Sequence, residues 1–323
     1  MSQEHQAGSW PGRIGVFVLS GGSIAALLAD IFGIASMHLV FWAVSVPSMV
    51  LLAVVAVLPR TPVELRDRIR VGAVAGVLGT IGYDLVRVPF AIAGQRLFAP
   101  IESYGLLIAD ANASSALTSG LGWCYHLSNG VTFGIAYCVL MARRAWPWGV
   151  LWGLLLESVA VFSPFAARYA IAGQIVPIAI AYGAHVFYGY PVGMVVQNFD
   201  RSVAALRWLG KRPVAVILIV SVVAIAGWHR PWEQTSVERE AAALSKRDRP
   251  ATVVLHDRFT PEWLRVRVGQ CILVDNRSAN SYRTPFGDVG ATSQSVLCFT
   301  KPGVHRVRLG TRPYAGGFVY AQD

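Results

Sequence analysis

The chain has few charged residues: Asp, Glu, Lys and Arg make up 14% of its 323 residues, against 54% hydrophobic residues. An ordinary soluble domain carries about 25% charged residues. The mean hydropathy is +0.49, and several apolar runs are long enough to cross a bilayer. The composition therefore argues against a soluble globular protein and predicts an integral membrane protein in contact with the lipid bilayer.

Several signatures of metal and haem chemistry are also missing. The four cysteines form no CxxCH motif, and neither HExxH nor a spaced Cys/His cluster occurs. These absences exclude c-type haem attachment and HExxH zinc chemistry and leave other metal sites open. The net charge of +10 comes without a basic face interleaved with aromatic residues on a soluble domain, so we expect no nucleic-acid partner.

Seven apolar segments predict transmembrane helices. They cover residues 14–35, 39–58, 70–94, 118–141, 147–167, 174–197 and 213–228. The first segment is long and is followed by further spans, which is not typical of a cleavable signal peptide. We therefore expect an α-helical, seven-helix transmembrane domain over residues 1–228.

Positive charge is concentrated on one side of this domain, at the N-terminus and in the loops after spans 2, 4 and 6. These segments carry Arg13, Arg60, Arg66, Arg68, Arg70, Arg143, Arg144, Arg201, Arg207, Lys211 and Arg212. The other loops hold only Arg96 and Arg168. Because Lys and Arg are retained in the cytoplasm, we expect a bacterial-type inner-membrane protein with a cytoplasmic N-terminus and a periplasmic or extracellular C-terminal domain.

Two stretches, about residues 70–141 and 147–197, repeat one another. Each contains, in the same order, an acidic residue, Pro-Phe, Ala-Ile-Ala-Gly-Gln and His-x3-Gly-x3-Gly. The acid and the histidine are Asp84 and His126 in the first repeat, and Glu157 and His185 in the second. Ionisable groups are costly in hydrocarbon and usually mark a functional site, so the repeat predicts a site without naming its chemistry.

Counting at about 1.5 Å per residue puts these four groups at similar depth. Corresponding spans run in the same direction, so the repeat is parallel, with a pseudo-twofold axis along the membrane normal. The glycines after each histidine remove side chains from one helix face and let backbones approach. We therefore expect Asp84, His126, Glu157 and His185 to converge near that axis.

Four interpretations of these residues remain open. Two buried His–carboxylate hydrogen bonds would lock helices together. Two imidazoles and two carboxylates also suit a transition metal, namely zinc, iron or manganese, and copper less distinctively. His126 and His185 alone would suit a haem, and a proton or ion relay uses the same residue types. The sequence assigns no catalytic residue.

Neighbouring polar residues are candidates for orienting the four groups. Arg87 shares a helix face with Asp84, which predicts an ion pair with Asp84 or Asp30, or a contact with an anionic substrate. The residues flanking the histidines are Tyr125, Asn129 and Tyr182, and they either hydrogen-bond to imidazole or simply pack. Residues 95–117, with Glu102 and Asp110, form the longest break and either cap the site or form a surface loop.

The character of the sequence changes after the last span. Residues 229–250 predict an interfacial linker with a short helix. Residues 251–323 predict a small β-sandwich, because six short β-rich runs are split there by Gly, Pro, Asn and Asp. The runs are 252–255, 264–268, 272–274, 296–299, 304–309 and 318–320.

This last quarter of the chain resembles the cupredoxin family. The motifs are Phe259-Thr260-Pro261, Leu264 to Gly269, Val274-Asp275-Asn276 and Pro302-Gly303. The resemblance implies a Greek-key sandwich, which in the family commonly binds copper through His, Cys, His and often Met. Those positions correspond here to Tyr282, Leu309, Arg312 and Ala315. Because blue copper needs a thiolate and imidazoles, we expect no blue copper in this domain.

Cys271 and Cys298 lie on two predicted strands of the same domain. An outward domain meets an oxidising compartment, which allows a disulfide between them. Two buried free thiols are the alternative.

These features predict a membrane protein with an intramembrane His/carboxylate site. We expect this site to bind a metal, in a membrane oxidoreductase or a metal-handling factor. An accessory subunit that docks a membrane complex through the cupredoxin-like domain is one alternative. A transporter with its site at the repeat axis is another. Whether the protein is an enzyme stays open.

Overall fold

The computed structural model describes residues 10–92, 98–112, 115–169, 171–210, 251–256, 259–260, 263–309 and 316–322. The predicted seventh span at 213–228, the predicted linker at 229–250, and the positions Arg312 and Ala315 lie outside the described residues. The described chain is helical up to Leu209 and β-stranded from Ala251. We call these the helical part and the β-domain.

The helical part consists of α-helices and one π-helical stretch in span 2. The helices are α1 (Trp10–Ile31), α2 (Met37–Val40), α3 (Val46–Val57), α4 (Val63–Ile92), α5 (Ala99–Ala109), α6 (Ala116–Met141), α7 (Pro147–Val161), α8 (Pro164–Arg168), α9 (Ile175–Gln197) and α10 (Phe199–Leu209). The π-helical stretch, Phe41–Ser45, joins α2 to α3.

Four helical stretches of the described chain are long and apolar enough to cross a membrane: residues 10–31, 37–57, 63–91 and 175–197. α7 is apolar but has only 15 residues. α6 has 26 residues, and its polar residues, among them His126 and Asn129, lower its hydropathy. The chain is therefore a membrane-type protein with about four candidate spans, while seven spans stay a prediction.

Glycines make the closest helix contacts within each repeat. Gly76 of α4 lies against the backbone of Gly130 on α6, and Gly149 of α7 lies against the backbone of Gly189 on α9. A side-chain carbon at Gly76 or Gly149 would overlap the partner backbone. The close approach that the glycine spacing predicts is thus present, and it holds α4 against α6 and α7 against α9.

α4 also packs against α9, which joins the two repeats. Gly82 of α4 lies against the backbone of Phe187, and Gly79 lies against the ring of Tyr188. The Tyr188 hydroxyl donates a hydrogen bond to the carbonyl of Gly130 on α6, at 2.8 Å. Side chains of α4 near this level therefore reach both α6 and α9.

The β-domain consists of short strands. They are β1 (Ala251–Leu255), β2 (Phe259–Thr260), β3 (Trp263–Arg267), β4 (Cys271–Asn276), β5 (Tyr282–Thr284), β6 (Gly287–Val289), β7 (Gln294–Cys298), β8 (Gly303–Arg308) and β9 (Gly316–Gln322). One sheet has the order β2-β1-β4-β7, a second has the order β3-β9-β8, and β5 pairs with β6. β1 with β4 and β3 with β9 are parallel pairs, and the others are antiparallel.

The two larger sheets share one hydrophobic core. Val253 and Ile272 from the first sheet and Val307 and Val319 from the second are all fully buried in it. This agrees with a small all-β domain after the membrane part. A Greek-key sandwich of the cupredoxin type stays a prediction.

Cys271 on β4 and Cys298 on β7 stand opposite each other and are disulfide-bonded, with their Cα atoms 4.0 Å apart. The predicted disulfide is confirmed, and the alternative of two free thiols is wrong. Closing a loop of this size restricts the unfolded chain and stabilises the fold by about 3–4 kcal/mol.

Candidate functional site

The first His–carboxylate pair joins α4 to α6. The Nε2 atom of His126 lies 3.1 Å from each carboxylate oxygen of Asp84. Arg87, one turn further along α4, donates to Asp84 Oδ1 at 3.3 Å. Carboxylate oxygens accept hydrogen bonds, so His126 donates its Nε2–H and keeps its Nδ1 lone pair free. Of the two partners considered for Arg87, Asp84 is therefore the one it contacts.

The second pair joins α7 to α9. The Nδ1 atom of His185 lies 2.9 Å from Glu157 Oε2 and 3.0 Å from the carbonyl oxygen of Ala181. A carbonyl oxygen only accepts hydrogen bonds, so Nδ1 carries the hydrogen. The neutral ring then has its lone pair on Nε2. Each imidazole is thus held by the acid of its own repeat and keeps one nitrogen available.

The ring of Tyr83 stands between the two pairs. Its centroid lies 4.8 Å from that of His185, edge to face, and 5.9 Å from that of His126. Tyr83 was not predicted as part of the site, because an aromatic residue in a membrane span usually only packs. Its position directly before Asp84 was the one available signal.

Aromatic rings also enclose Arg87. The guanidinium carbon lies 4.7 Å from the Tyr83 ring centroid and 4.5 Å from that of Phe98. Trp123 contacts His126, with centroids 5.8 Å apart. The charged groups of the first pair are therefore surrounded by aromatic surface, which attracts cations through its π face.

Burial differs between the two pairs. The side chain of Glu157 is 5% exposed and that of His185 is 16% exposed. In the first pair, Asp84 is 23% and His126 is 15% exposed. Both pairs therefore lie largely inside the protein, and the Asp84 carboxylate is the most accessible of the four groups.

The four residues form two pairs, and the ring of Tyr83 contacts the imidazole of each. Across the residues that the structure describes, no group of three or more His, Cys, Asp or Glu side chains is placed to hold a metal ion. The expected convergence on one axis is therefore seen only as two neighbouring pairs. The transition-metal and haem interpretations stay predictions.

The other predicted polar residues lie away from the imidazoles. Tyr125 packs against Phe41 and Tyr104, at 5.8 and 5.5 Å between centroids. The Tyr182 hydroxyl lies 3.1 Å from Ser158 Oγ, and Asn129 is buried one turn after Tyr125. In the described part of the chain, no hydrogen bond links any of these three to either imidazole.

A further buried ion pair was not predicted in its observed form. Arg168, at the end of α8, donates to Asp30 Oδ2 at 2.6 Å, and both side chains are nearly inaccessible. This pair ties α8 to α1. Asp30, which the sequence suggested as a second partner for Arg87, is thus paired with Arg168.

At two of the positions that bind copper in the cupredoxin family, this chain has residues that pack in or against the hydrophobic core. Leu309 is 1% exposed and belongs to the hydrophobic core, and Tyr282 packs against that core. His305 packs against Phe286 and Phe299 and hydrogen-bonds through Nε2 to the carbonyl of Lys301 at 2.7 Å. The absence of blue copper stays a prediction.

Comparison of the chain with models of protein families, with curated proteins and with solved structures gave no significant match. The functional argument therefore rests on the residues of this chain. The cupredoxin resemblance rests on the sequence motifs alone.

Proposed function

We propose that the protein is a proton-coupled membrane transporter whose protons bind at the two His–carboxylate pairs. One observation carries the proposal: each imidazole has one nitrogen beside the acid of its own repeat, 3.1 Å from Asp84 in the first pair and 2.9 Å from Glu157 in the second, and its other nitrogen stays available. A carboxylate held in this way fixes the ring and stabilises the imidazolium form. Such a pair therefore accepts and returns a proton without moving its ring.

The two pairs affect each other through Tyr83. An imidazolium is attracted to the negative face of a neighbouring aromatic ring and not to its positive edge. Two cations beside the same ring also repel one another. Protons therefore bind to the two pairs in a coupled manner, which suits a cycle in which they are taken up and released stepwise.

A short helix beside the second pair supports transport over a purely structural role. The 15 residues of α7 span about 22 Å, whereas the hydrocarbon core is about 30 Å thick. Glu157 lies one turn before the end of α7, and α8 begins three residues after that end. Parallel repeats and interrupted helices beside buried polar groups are features of secondary transporters.

The proposal includes the finer topology that the sequence predicts. In it the protein has seven spans, a cytoplasmic N-terminus and a periplasmic cupredoxin-like domain, and both pairs lie near the middle of the membrane. The Cys271–Cys298 disulfide is consistent with an oxidising compartment for this domain. Protons would then reach the pairs from the outer side.

A metal-dependent function, as an oxidoreductase or metal-handling factor, is the second candidate. A histidine that gives one N–H to a carboxylate and offers its other nitrogen is also the usual arrangement of a metal-binding histidine. In this version the free nitrogens of His126 and His185 would bind the metal, with Asp84 and Glu157 orienting the rings. Elemental analysis of purified protein separates the two candidates.

An accessory role through the β-domain receives less support. A docking surface needs a sizeable exposed apolar patch. Among the described residues of the β-domain, Val296 is the one large hydrophobic side chain that is exposed, at 58%. A single residue does not make such a patch.

The experiment that tests proton binding compares His126→Gln/His185→Gln with His38→Gln in purified protein. His38 hydrogen-bonds to the carbonyl of Ile108 and lies outside both pairs, so it controls for loss of one imidazole elsewhere. We expect back-titration of the double variant between about pH 5 and 8 to bind fewer protons than the control. Equal proton uptake in the two proteins would contradict the proposal.

A further inference from the structure

Helix α5 is attached to the β-domain at its C-terminal end. The Asp110 carboxylate binds Arg306 at 3.2 Å and Arg308 at 2.7 Å. The backbone N–H of Arg306 donates to the carbonyl of Asn112 at 2.9 Å. These contacts fix strand β8 to the end of α5, within the predicted loop at residues 95–117.

Apolar side chains complete this contact. Val304 of β8 and Phe318 of β9 are 1% and 5% exposed and belong to the same buried cluster as Phe98 and Tyr104. Phe98 directly precedes α5, so this cluster includes both side chains of the β-domain and the residue at the start of the helix. The helix and the two strands therefore form one packed unit.

The N-terminal end of α5 contacts the surroundings of the Asp84–His126 pair. The Phe98 ring lies 4.5 Å from the guanidinium carbon of Arg87 and 5.8 Å from the Trp123 ring. Arg87 donates to Asp84 at 3.3 Å, and Trp123 lies 5.8 Å from His126. One side chain, Phe98, thus supports a neighbour of each member of the pair.

The ion pairs that attach α5 to the β-domain are of a kind that breaks readily. The side chains of Asp110 and Arg308 are 46% and 34% exposed, and exposed ion pairs are weak and screened by salt. Burial lowers the pKa of Arg306 from its ordinary value, so release would rehydrate a costly buried cation. Contacts between domains of one chain generally permit relative motion unless they are large and hydrophobic.

We propose that the β-domain is a regulatory cap on the Asp84–His126 pair and acts through α5. When docked, it keeps Phe98 against Arg87 and Trp123 and so fixes the geometry of the pair. When released, it frees Phe98 and loosens the hydrogen bonds between Asp84 and His126. What this regulation would serve rests on the proposed function, whereas the coupling between the β-domain and the Asp84–His126 pair does not.

The test uses full-length protein in lipid nanodiscs and the variant Asp110→Asn, which removes the charge but keeps the shape. Asp288→Asn is the matched control, because Asp288 pairs with Arg283 inside the β-domain at 3.8 Å. Hydrogen exchange reports docking, and the ¹⁵N resonances of the histidines report the pairs. In Asp110→Asn we expect exchange in residues 98–112 and 303–308 to accelerate about tenfold and the His126 resonance to shift. The His185 resonance should shift less than that of His126, because Phe98 contacts neighbours of the first pair and His185 is reached only through Tyr83.

Faster exchange without a change at His126, or unchanged exchange, would overturn the regulatory cap. If Asp110→Asn fails to fold, wild-type protein in about 1 M salt, where charges are screened within about 3 Å, provides the same comparison. The proposed function fails separately, if titration of the wild-type protein shows no proton binding at the imidazoles. Even then, a shift of the His126 resonance in Asp110→Asn would show that the β-domain is coupled to the Asp84–His126 pair.

Discussion

At the scale of single residues, the two repeats use opposite nitrogens of their histidines. His126 binds the shorter acid, Asp84, through Nε2, whereas His185 binds the longer acid, Glu157, through Nδ1. The additional hydrogen bond to Ala181 one turn earlier fixes the His185 ring close to its own backbone. The pairs are therefore similar in composition but not interchangeable in geometry.

Glu157→Leu should destabilise the protein, because it removes the buried carboxylate that lies 2.9 Å from Nδ1 of His185. A buried donor that loses its charged partner costs about 1–3 kcal/mol. The measurement is thermal unfolding in detergent or nanodiscs. Glu102→Leu is the control, since Glu102 accepts from Ser119 at 3.0 Å in the contact of α5 with α6, away from this pair. Equal losses in the two variants would mean that the Glu157–His185 bond has no special weight.

The residues of the pairs could be predicted from sequence because a repeated ionisable residue in an apolar span is conspicuous. Their division into two pairs could not, since a depth count gives height along the helix axis but not the rotation of each helix. Tyr83 was missed because an aromatic residue in a membrane span usually only packs. Its importance comes from α4 packing against both α6 and α9, and no local pattern records that.

At the scale of elements, the glycine contacts determine how closely the helices approach. Gly76→Ala should destabilise the protein by about 1–3 kcal/mol, because the added carbon would overlap the backbone of Gly130. Gly120→Ala is a matched control on α6, where an added carbon meets nothing within 4 Å. There the change should be neutral or stabilising by up to about 1 kcal/mol. Thermal unfolding of both variants checks the difference, and similar values would refute tight packing at Gly76.

Helix α10 is tied to the loop after α6 by a pH-dependent contact. Arg143 donates to both carboxylate oxygens of Asp200, at 2.7 and 3.1 Å. This hydrogen bonding lowers the pKa of Asp200 from its ordinary value of 3.8. A lowered folded-state pKa means that the stabilisation is complete above the ordinary value and is lost as the pH falls through the lowered one.

We therefore expect the contact to weaken only below about pH 4. The effect on stability should be below about 1 kcal/mol, because Asp200 is 75% exposed and the pair is screened. Asp200→Asn should remove this part of the acid dependence and leave stability at neutral pH nearly unchanged. Thermal unfolding of both proteins across the acid range tests this, and identical pH profiles would contradict it.

Prediction of elements from sequence succeeded where the pattern was long or strongly alternating. Each of the six predicted β-rich runs overlaps an observed strand, whereas β2, β5 and β6, with two or three residues each, are too short to show a period. The π-helical stretch Phe41–Ser45 lies inside an apolar run, so no change in composition marks it in the sequence. α5 was treated as loop because small residues follow it.

At the scale of the whole molecule, the charge distribution and the disulfide lead to the same orientation. Exposed arginines, including Arg60, Arg144 and Arg201, belong to the loops at one end of the helical part. The β-domain instead contacts Asp110 in the connection between α4 and α6. Positively charged loops stay in the cytoplasm, and a disulfide persists in an oxidising compartment. Both arguments favour the proposed orientation, in which the β-domain lies outside.

Labelling with a membrane-impermeant thiol reagent tests this orientation. In a Cys124→Ala/Cys138→Ala background, Ser278→Cys adds a thiol to the β-domain and Arg201→Cys adds one to α10, both near exposed surface. In intact spheroplasts we expect labelling of the Ser278→Cys protein alone, because the reagent does not reach the cytoplasm. After permeabilisation both should react, which controls for buried thiols. Labelling of Arg201→Cys in intact spheroplasts, with Ser278→Cys protected, would reverse the topology.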